Sequence, residues 1–485
     1  MVSEAERQEL SPTSTSYLAK RVTVKVRKHV SLNLNVRGLE QSATLAINEK
    51  CRELRAQGQK IYNLGLGQSP FPVPSPVVAE LKRHAHEKDY LPVKGLPALR
   101  EAVAQYHRSQ DQVAAQGDFV IVGPGSKELM FLLQLVFYGE IIVPTPSWVS
   151  YVPQARIIGR DVQLIHTTFE DKWRVTPERL EAYFESEHDD LRPRILILSY
   201  PGNPDGRSYS ADELKEIAQI ASRFEVILLS DEIYGRLHHE GQHVSVARYY
   251  PEGTIISSGL SKWCGAGGWR LGTFTFPPDL DWLMEVIASV ASETYTSVSA
   301  PIQYAAVRAF KGGSAIDRYL IRARAILNAL GRRCARIVLE AGIRVHEPVG
   351  AFYLFLDFTP FAEHFAERGI KNSTTLCEVL LEETGVAILP GQAFNRPPWE
   401  LTARMAYVDF DGPKTLAASE DLPLDKRPSD EFIENFCGNV IEAAIIIGDW
   451  VSSQSAKRIG RTRLGEVMDR GMGNLRSFTG ESHLS

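Results

Sequence analysis

Three motifs in the middle of the chain carry residue types that chemistry needs, and each follows an apolar run. After residues 195–200 comes Pro201-Gly202-Asn203-Pro204-Asp205-Gly206, and after 226–230 comes Asp231-Glu232-Ile233-Tyr234. After 254–257 comes Gly259-Leu260-Ser261-Lys262, with Arg270 eight residues past the lysine in Gly267-Gly268-Trp269-Arg270-Leu271-Gly272. Taken singly these read as a turn, a helix cap and a solvated charge. Taken in order they ask for one ligand. A lysine amine condenses with an aldehyde. An aspartate beside a ring nitrogen keeps it protonated, so the ring can accept carbanion electrons. Asn and Tyr can hydrogen-bond a ring oxygen, and an arginine matches a phosphate with a bidentate fork. The set suits pyridoxal 5′-phosphate.

Residues so far apart meet only if successive elements deliver them to one edge. Short β-branched runs at 119–122, 140–143, 162–166, 195–200, 226–229 and 254–257 read as strands. Most are almost continuously apolar, the pattern of strands buried on both faces of a largely parallel sheet. Helical patterns at 126–136 and 210–223 lie between them. This alternation is an α/β arrangement with helices on both faces, in which ligands sit beyond the carboxyl ends of the strands.

The composition agrees with such a body. The chain has 485 residues, 44% hydrophobic and 23% charged, with 54 Lys+Arg against 59 Asp+Glu and a net charge of −5. These values exclude collagen-like, disordered and disulfide-scaffold classes. The mild acidity gives no reason to expect nucleic acid as a partner. The five scattered cysteines never take C-x-x-C spacing, which fits a reducing compartment. No apolar run reaches the ~18–20 residues that span a bilayer, and no metal-ligand spacing stands out. Glu4, Glu6 and Glu9 speak against a transit peptide, so a cytoplasmic protein is expected.

With these motifs in hand, residues 37–451 resemble the class I/II aminotransferases of the fold-type I pyridoxal-phosphate enzymes. The resemblance implies that Lys262 is the Schiff-base lysine and that Arg270 binds the phosphate. It places Asp231 at the pyridine nitrogen and Tyr234 and Asn203 at the ring oxygen. Gly125-Ser126-Lys127 resembles the family's phosphate loop, and a helix starting there would favour an anion on its own account. Trp148, in Pro144-Thr145-Pro146-Ser147-Trp148, corresponds to the aromatic residue stacked on the ring, and Ser261 flanks the lysine. Tyr90, in Asp89-Tyr90-Leu91-Pro92, matches the tyrosine that reaches the neighbouring subunit's phosphate, implying a homodimer with composite sites. Arg404, after Pro390-Gly391-Gln392-Ala393-Phe394, matches the clamp on the substrate α-carboxylate, and Gly67 the backbone that leaves space beside it.

The implied architecture is a large α/β/α sandwich carrying the cofactor, over 81–330. A smaller α+β domain would combine 35–80 with 331–452, leaving an extension at 1–34 and a polar tail at 453–485. The implied reaction is ping-pong transamination between an L-amino acid and a 2-oxo acid, with Lys262 moving the Cα proton. A β-eliminating lyase or an enzyme like the aminocyclopropane-carboxylate synthases would use the same lysine and aspartate, and stays open as the alternative. A non-catalytic DNA-binding regulator would need a winged-helix domain, for which the 34-residue extension is too short. Two departures stand out. Gly259 takes the place where the family commonly has serine, removing a phosphate hydroxyl, and Asp205 replaces the usual threonine of the Asn-Pro-Thr-Gly turn, where a solvated side chain is expected. The stretch 292–299 has no arginine, which speaks against an aspartate enzyme of the subgroup that uses one there; Tyr295 in it would suit apolar or aromatic side chains.

Overall fold

A computed structural model describes residues 33–39, 41–186 and 192–475, with 453–475 described by backbone alone. Most of the extension expected at 1–34, and the end of the tail from 476 on, lie outside the described residues. The chain divides into two units, Met1–Leu39 and Glu40–Ser485. In the first, the described part is a single 3₁₀ turn, Leu34–Val36, with Asn33 Oδ1 accepting from the Asn35 amide.

The second unit holds every described strand. They are β1 (Tyr62–Asn63), β2 (Val120–Gly123), β3 (Glu140–Thr145), β4 (Val162–His166), β5 (Arg194–Ser199), β6 (Ile227–Asp231), β7 (Thr254–Gly259), β8 (Gly272–Thr275), β9 (Tyr353–Asp357), β10 (Val386–Ala387), β11 (Leu389–Pro390) and β12 (Thr402–Ala406). Seven of them make one sheet in the order β2-β8-β7-β6-β5-β3-β4. All run parallel except β8, which is antiparallel to both its neighbours.

Side-chain alternation explains why these strands read as unbroken apolar runs. Ile141, Val143, Ile195, Ile197 and Leu229 pack on one face with the helices Ser126–Val136 and Asp281–Thr294. Ile142, Leu196, Leu198 and Leu228 pack on the other, with Pro177–Ser186 and Ala211–Arg223. Burying both faces demands apolar residues at successive positions, and that is the parallel-sheet signature. Ser210 and Glu213 close a reciprocal capping box at the start of Ala211–Arg223, which fixes where that helix begins.

Register brings the motifs together. Ser199 pairs with Asp231, and Asp231 with Ser257, so one row closes the carboxyl ends of β5, β6 and β7. Asn203, Tyr234 and Lys262 each follow their strand by a few residues, on that edge. Gly272 pairs with both Gly123 and Gly259, so the antiparallel β8 enters the sheet from the same edge and carries Arg270 just ahead of it.

The other five strands form two smaller sheets. The order β11-β12-β9 is antiparallel, with Arg404 opposite Leu389 and Phe355. β1 pairs in parallel with β10, and the Ala406 amide donates to Leu64 O at 2.7 Å, so the segment after β1 is tied to β12. The described residues end in the helix Asp430–Leu475, interrupted at Cys437 (φ −123°, ψ 24°), so the position where the tail was expected to begin lies inside helical backbone. No helix among the described residues is long and apolar enough to cross a membrane.

Candidate active site

Asp231, the last residue of β6, is 4% exposed. Its Oδ2 accepts from the Tyr151 hydroxyl at 2.6 Å and its Oδ1 from the Ser257 hydroxyl at 3.2 Å. Burial pushes its pKa up to about 6, against the pull of those two hydroxyls. Tyr234 follows with its hydroxyl 2.6 Å from that of Tyr353.

Lys262 comes from the turn after β7, donates from Nζ to Gly67 O at 2.8 Å, and sits 5.6 Å from the Tyr234 ring centroid. Desolvation first, and the charge of Arg404 second, lower its pKa to about 8. That leaves a sizeable neutral fraction near neutrality, the form that is nucleophilic and basic.

An anion cradle stands across from it. Gly125 (φ +91°) caps the helix Ser126–Val136 and its carbonyl accepts from the Glu128 amide at 3.2 Å, which leaves the Ser126 and Lys127 amides as the helix-start donors. A Cβ on Gly125 would lie 2.2 Å from Arg270 Nη2 and push the guanidinium aside, and the positive φ is strained for any L side chain. Arg270 donates to Gly267 O at 2.9 Å and to Pro124 O at 3.3 Å. Lys127 Nζ lies 5.3 Å from the Trp148 ring centroid, and burial, then the charge of Arg270, depress its pKa. Trp148 meets Tyr151 edge-on at 5.3 Å.

Arg404, 1% exposed, donates to Asn203 Oδ1 at 2.9 Å and to Gly65 O, between the rings of Tyr353 (4.6 Å) and Phe394 (4.9 Å). These aromatic faces favour a guanidinium that water does not reach.

All of this surrounds one cavity of about 470 Å³. Gly67, Ser126, Lys127, Trp148, Asn203, Asp231, Tyr234, Ser261, Lys262 and Arg270 line it. Gly125 holds the cradle from behind, and Arg404 stands behind Asn203. Tyr90 is set apart, 89% exposed and outside the cavity lining. Among the described residues the charged groups on the wall are Lys127, Lys262 and Arg270 against Asp231 alone, so the cavity favours an anionic occupant.

Two expectations need correction. Asp205 is not solvated: it is 6% exposed, accepts from the Arg207 amide at 3.0 Å, and burial pushes its pKa up to about 7. It lines a separate cavity of about 30 Å³ and adds no charge to the main one. Tyr295 donates to Val122 O at 3.2 Å and is absent from the cavity wall. Gly259 is explained by packing, since a Cβ there would lie 2.7 Å from Leu271 O.

The sequence reading missed Tyr151, Ser257 and Tyr353. Tyr151 had a signal, three residues beyond Trp148 and one helical turn away; Tyr353 sits in an apolar run indistinguishable from core.

Comparison with known proteins decides the family. The sequence profile of aminotransferase class I and II matches residues 59–405. The chain belongs to that family. This aminotransferase is 33% identical to an aspartate aminotransferase of Geobacillus stearothermophilus over 78% of the chain and 95% of the relative. It is 30% identical to an asparagine–oxo-acid transaminase of Streptococcus mutans, over 78% and 94%. A solved structure of Thermus thermophilus aspartate aminotransferase with maleate superposes with a TM-score of 0.72 at 29% identity, covering 85% of this chain and 98% of that one. The aminotransferase is accordingly an α/β, fold-type I enzyme dependent on pyridoxal phosphate, acting on amino acids and 2-oxo acids. Its cavity fits the cofactor's chemistry: a cationic cradle at one side, a buried carboxylate with both oxygens held, and an amine of lowered pKa.

Proposed function

We propose that Lys262 carries the cofactor and moves the substrate's Cα proton, and that the amino donor is a dicarboxylic amino acid of the aspartate class. The observation that carries this reading is the convergence of Lys262 and Asp231 on one cavity with the cradle of Ser126 and Arg270. When bound, pyridoxal phosphate supplies an electron sink for the carbanion left at Cα. The protein does the rest. Arg270 and the Ser126 amide would hold the phosphate, and Trp148 would cover the ring. Asp231, kept in place by Tyr151 and Ser257, would be the carboxylate for the ring nitrogen. Asn203 and Tyr234 would serve the ring oxygen. Lys262 Nζ would take a proton from the substrate's Cα and return it within the same reach.

An α-carboxylate takes over donors that Arg404 directs to Asn203 Oδ1 and Gly65 O. For the distal carboxylate, Lys127 has no carboxylate partner among the described residues and faces the cavity beside Trp148. The names of the Geobacillus and Thermus relatives support the same donor class. Lys127→Gln should raise KM for aspartate at least tenfold while leaving KM for an apolar amino acid nearly unchanged. Equal effects on both would remove the distal-carboxylate role.

We further propose a homodimer in which the exposed Tyr90 completes the partner's phosphate site. Segments 35–80 and 331–452 would form a small domain, a reading supported by the pairing of β1 with β10. The free, buried cysteines are those of a chain working in the reducing cytoplasm.

A further inference from the structure

The Tyr234 hydroxyl is already engaged. Its partner, Tyr353, belongs to β9 in the three-stranded sheet, not to the sheet that carries Asp231. Both phenols are buried, and neither hydroxyl has another hydrogen-bond partner among the described residues. Gly67 makes the approach possible, because a Cβ there would lie 2.1 Å from the Tyr353 oxygen. The Arg404 guanidinium stands 4.6 Å from the Tyr353 ring centroid.

We propose that Tyr353 is a positioning residue that acts on the cofactor through Tyr234, donating its hydroxyl proton to Tyr234 so that the Tyr234 proton is turned to the ring oxygen. This rests on the placement of Tyr234 at that oxygen given above. A phenol has one proton and two lone pairs, so a pair of phenols sharing one hydrogen bond keeps one proton to give. Tyr234 lines the cavity and Tyr353 does not, so the proton that can reach a ligand is that of Tyr234. Burial raises both phenols, and the charge of Arg404 opposes that rise at both. A hydroxyl that accepts one hydrogen bond while donating another is polarised and donates more strongly.

The test is a pH titration of the holoenzyme's visible absorption in the wild type, Tyr353→Phe, Tyr234→Phe and the double variant. A donor at the ring oxygen stabilises its anionic form, so weakening it moves the midpoint up. Tyr353→Phe should raise the midpoint by roughly half a pH unit, the scale of one neutral hydrogen bond. In the Tyr234→Phe background the same change should add nothing. An unmoved midpoint in Tyr353→Phe, or equal shifts in both backgrounds, overturns the relay. A packing role alone would lower the melting temperature and leave the midpoint in place. If Tyr353→Phe fails to fold, 3-fluorotyrosine at position 353 preserves the shape and strengthens the donor. The midpoint should then fall, and a fixed midpoint overturns the proposal. A wild-type protein that develops no visible band with added cofactor fails the site assignment and the relay together, whereas a titrating band that ignores Tyr353 fails the relay alone.

Discussion

At the scale of single residues, the proposed chemistry turns on two buried ionisable groups whose pKa values burial pushes toward each other. Asp231 is raised to about 6 and Lys262 lowered to about 8. Lys262→Ala should abolish transamination and leave a folded protein, checked by turnover and circular dichroism. Asp231→Asn should cut turnover by roughly 10²–10⁴-fold while cofactor still binds. Tyr151→Phe takes a hydrogen bond from the charged form of Asp231, so the Asp231 pKa rises further. The acid limb of the kcat/KM profile should move up by roughly one pH unit, and an unmoved limb would deny Tyr151 its role. Asp231 also has a linkage consequence in the apoenzyme. Its folded pKa lies above the unfolded value, so the folded state binds the extra proton and stability falls as pH rises from 3.8 to about 6. The loss is about 3 kcal/mol. Asp231→Asn removes it, so apoenzyme melts should place the variant above the wild type at pH 7 and level with it near pH 3.5.

At the scale of elements, the site is a product of register and of one helix start. The helix at 126–136 was legible to the residue, because its apolar spacing is regular and glycine precedes it. The parallel strands were legible to within a residue or two, because burial on both faces makes most of them almost continuously apolar, with edge strand β4 and its exposed Gln163 the exception. β8 was not, since Gly272–Thr275 is four residues long, opens on glycine and runs against the others. Nor were β9, β11 and β12, which are short and separated in sequence, although they present Tyr353 and Arg404. Asn203, Asp231, Tyr234, Lys262 and Arg270 could be read because polar groups at the ends of apolar runs stand out. Tyr353 could not, because an aromatic residue that holds a buried hydroxyl looks the same in sequence as one that fills a core, and Tyr151 left only its three-residue spacing from Trp148 as a signal. The cradle yields its own test. Gly125→Ala places a Cβ against Arg270 at a positive φ. Affinity of the apoenzyme for pyridoxal phosphate should fall at least tenfold in a direct titration, and unchanged affinity would detach Gly125 and Arg270 from phosphate binding.

At the scale of the whole molecule, one cavity gathers residues from the carboxyl edge of the seven-stranded sheet and from the segment after β1, and the proposed dimer would add Tyr90 of a second copy. A composite dimer makes a sharp statement about mixtures. Inactive Lys262→Ala and impaired Tyr90→Ala proteins, unfolded and refolded together, should regain part of the activity, because one site of each hybrid is intact. Mixtures no better than their parents would assign Tyr90 to the surface of an independent subunit. The central claim concerns the reaction itself, and the measurement closest to it is the visible spectrum of the cofactor-loaded wild type before and after L-aspartate is added with no oxo acid present. The expected result is loss of the visible band in favour of the aminated cofactor, with about one oxo acid released per site and the band restored by a 2-oxo acid. A band that persists while ammonia accumulates, or that no amino acid alters, would contradict it.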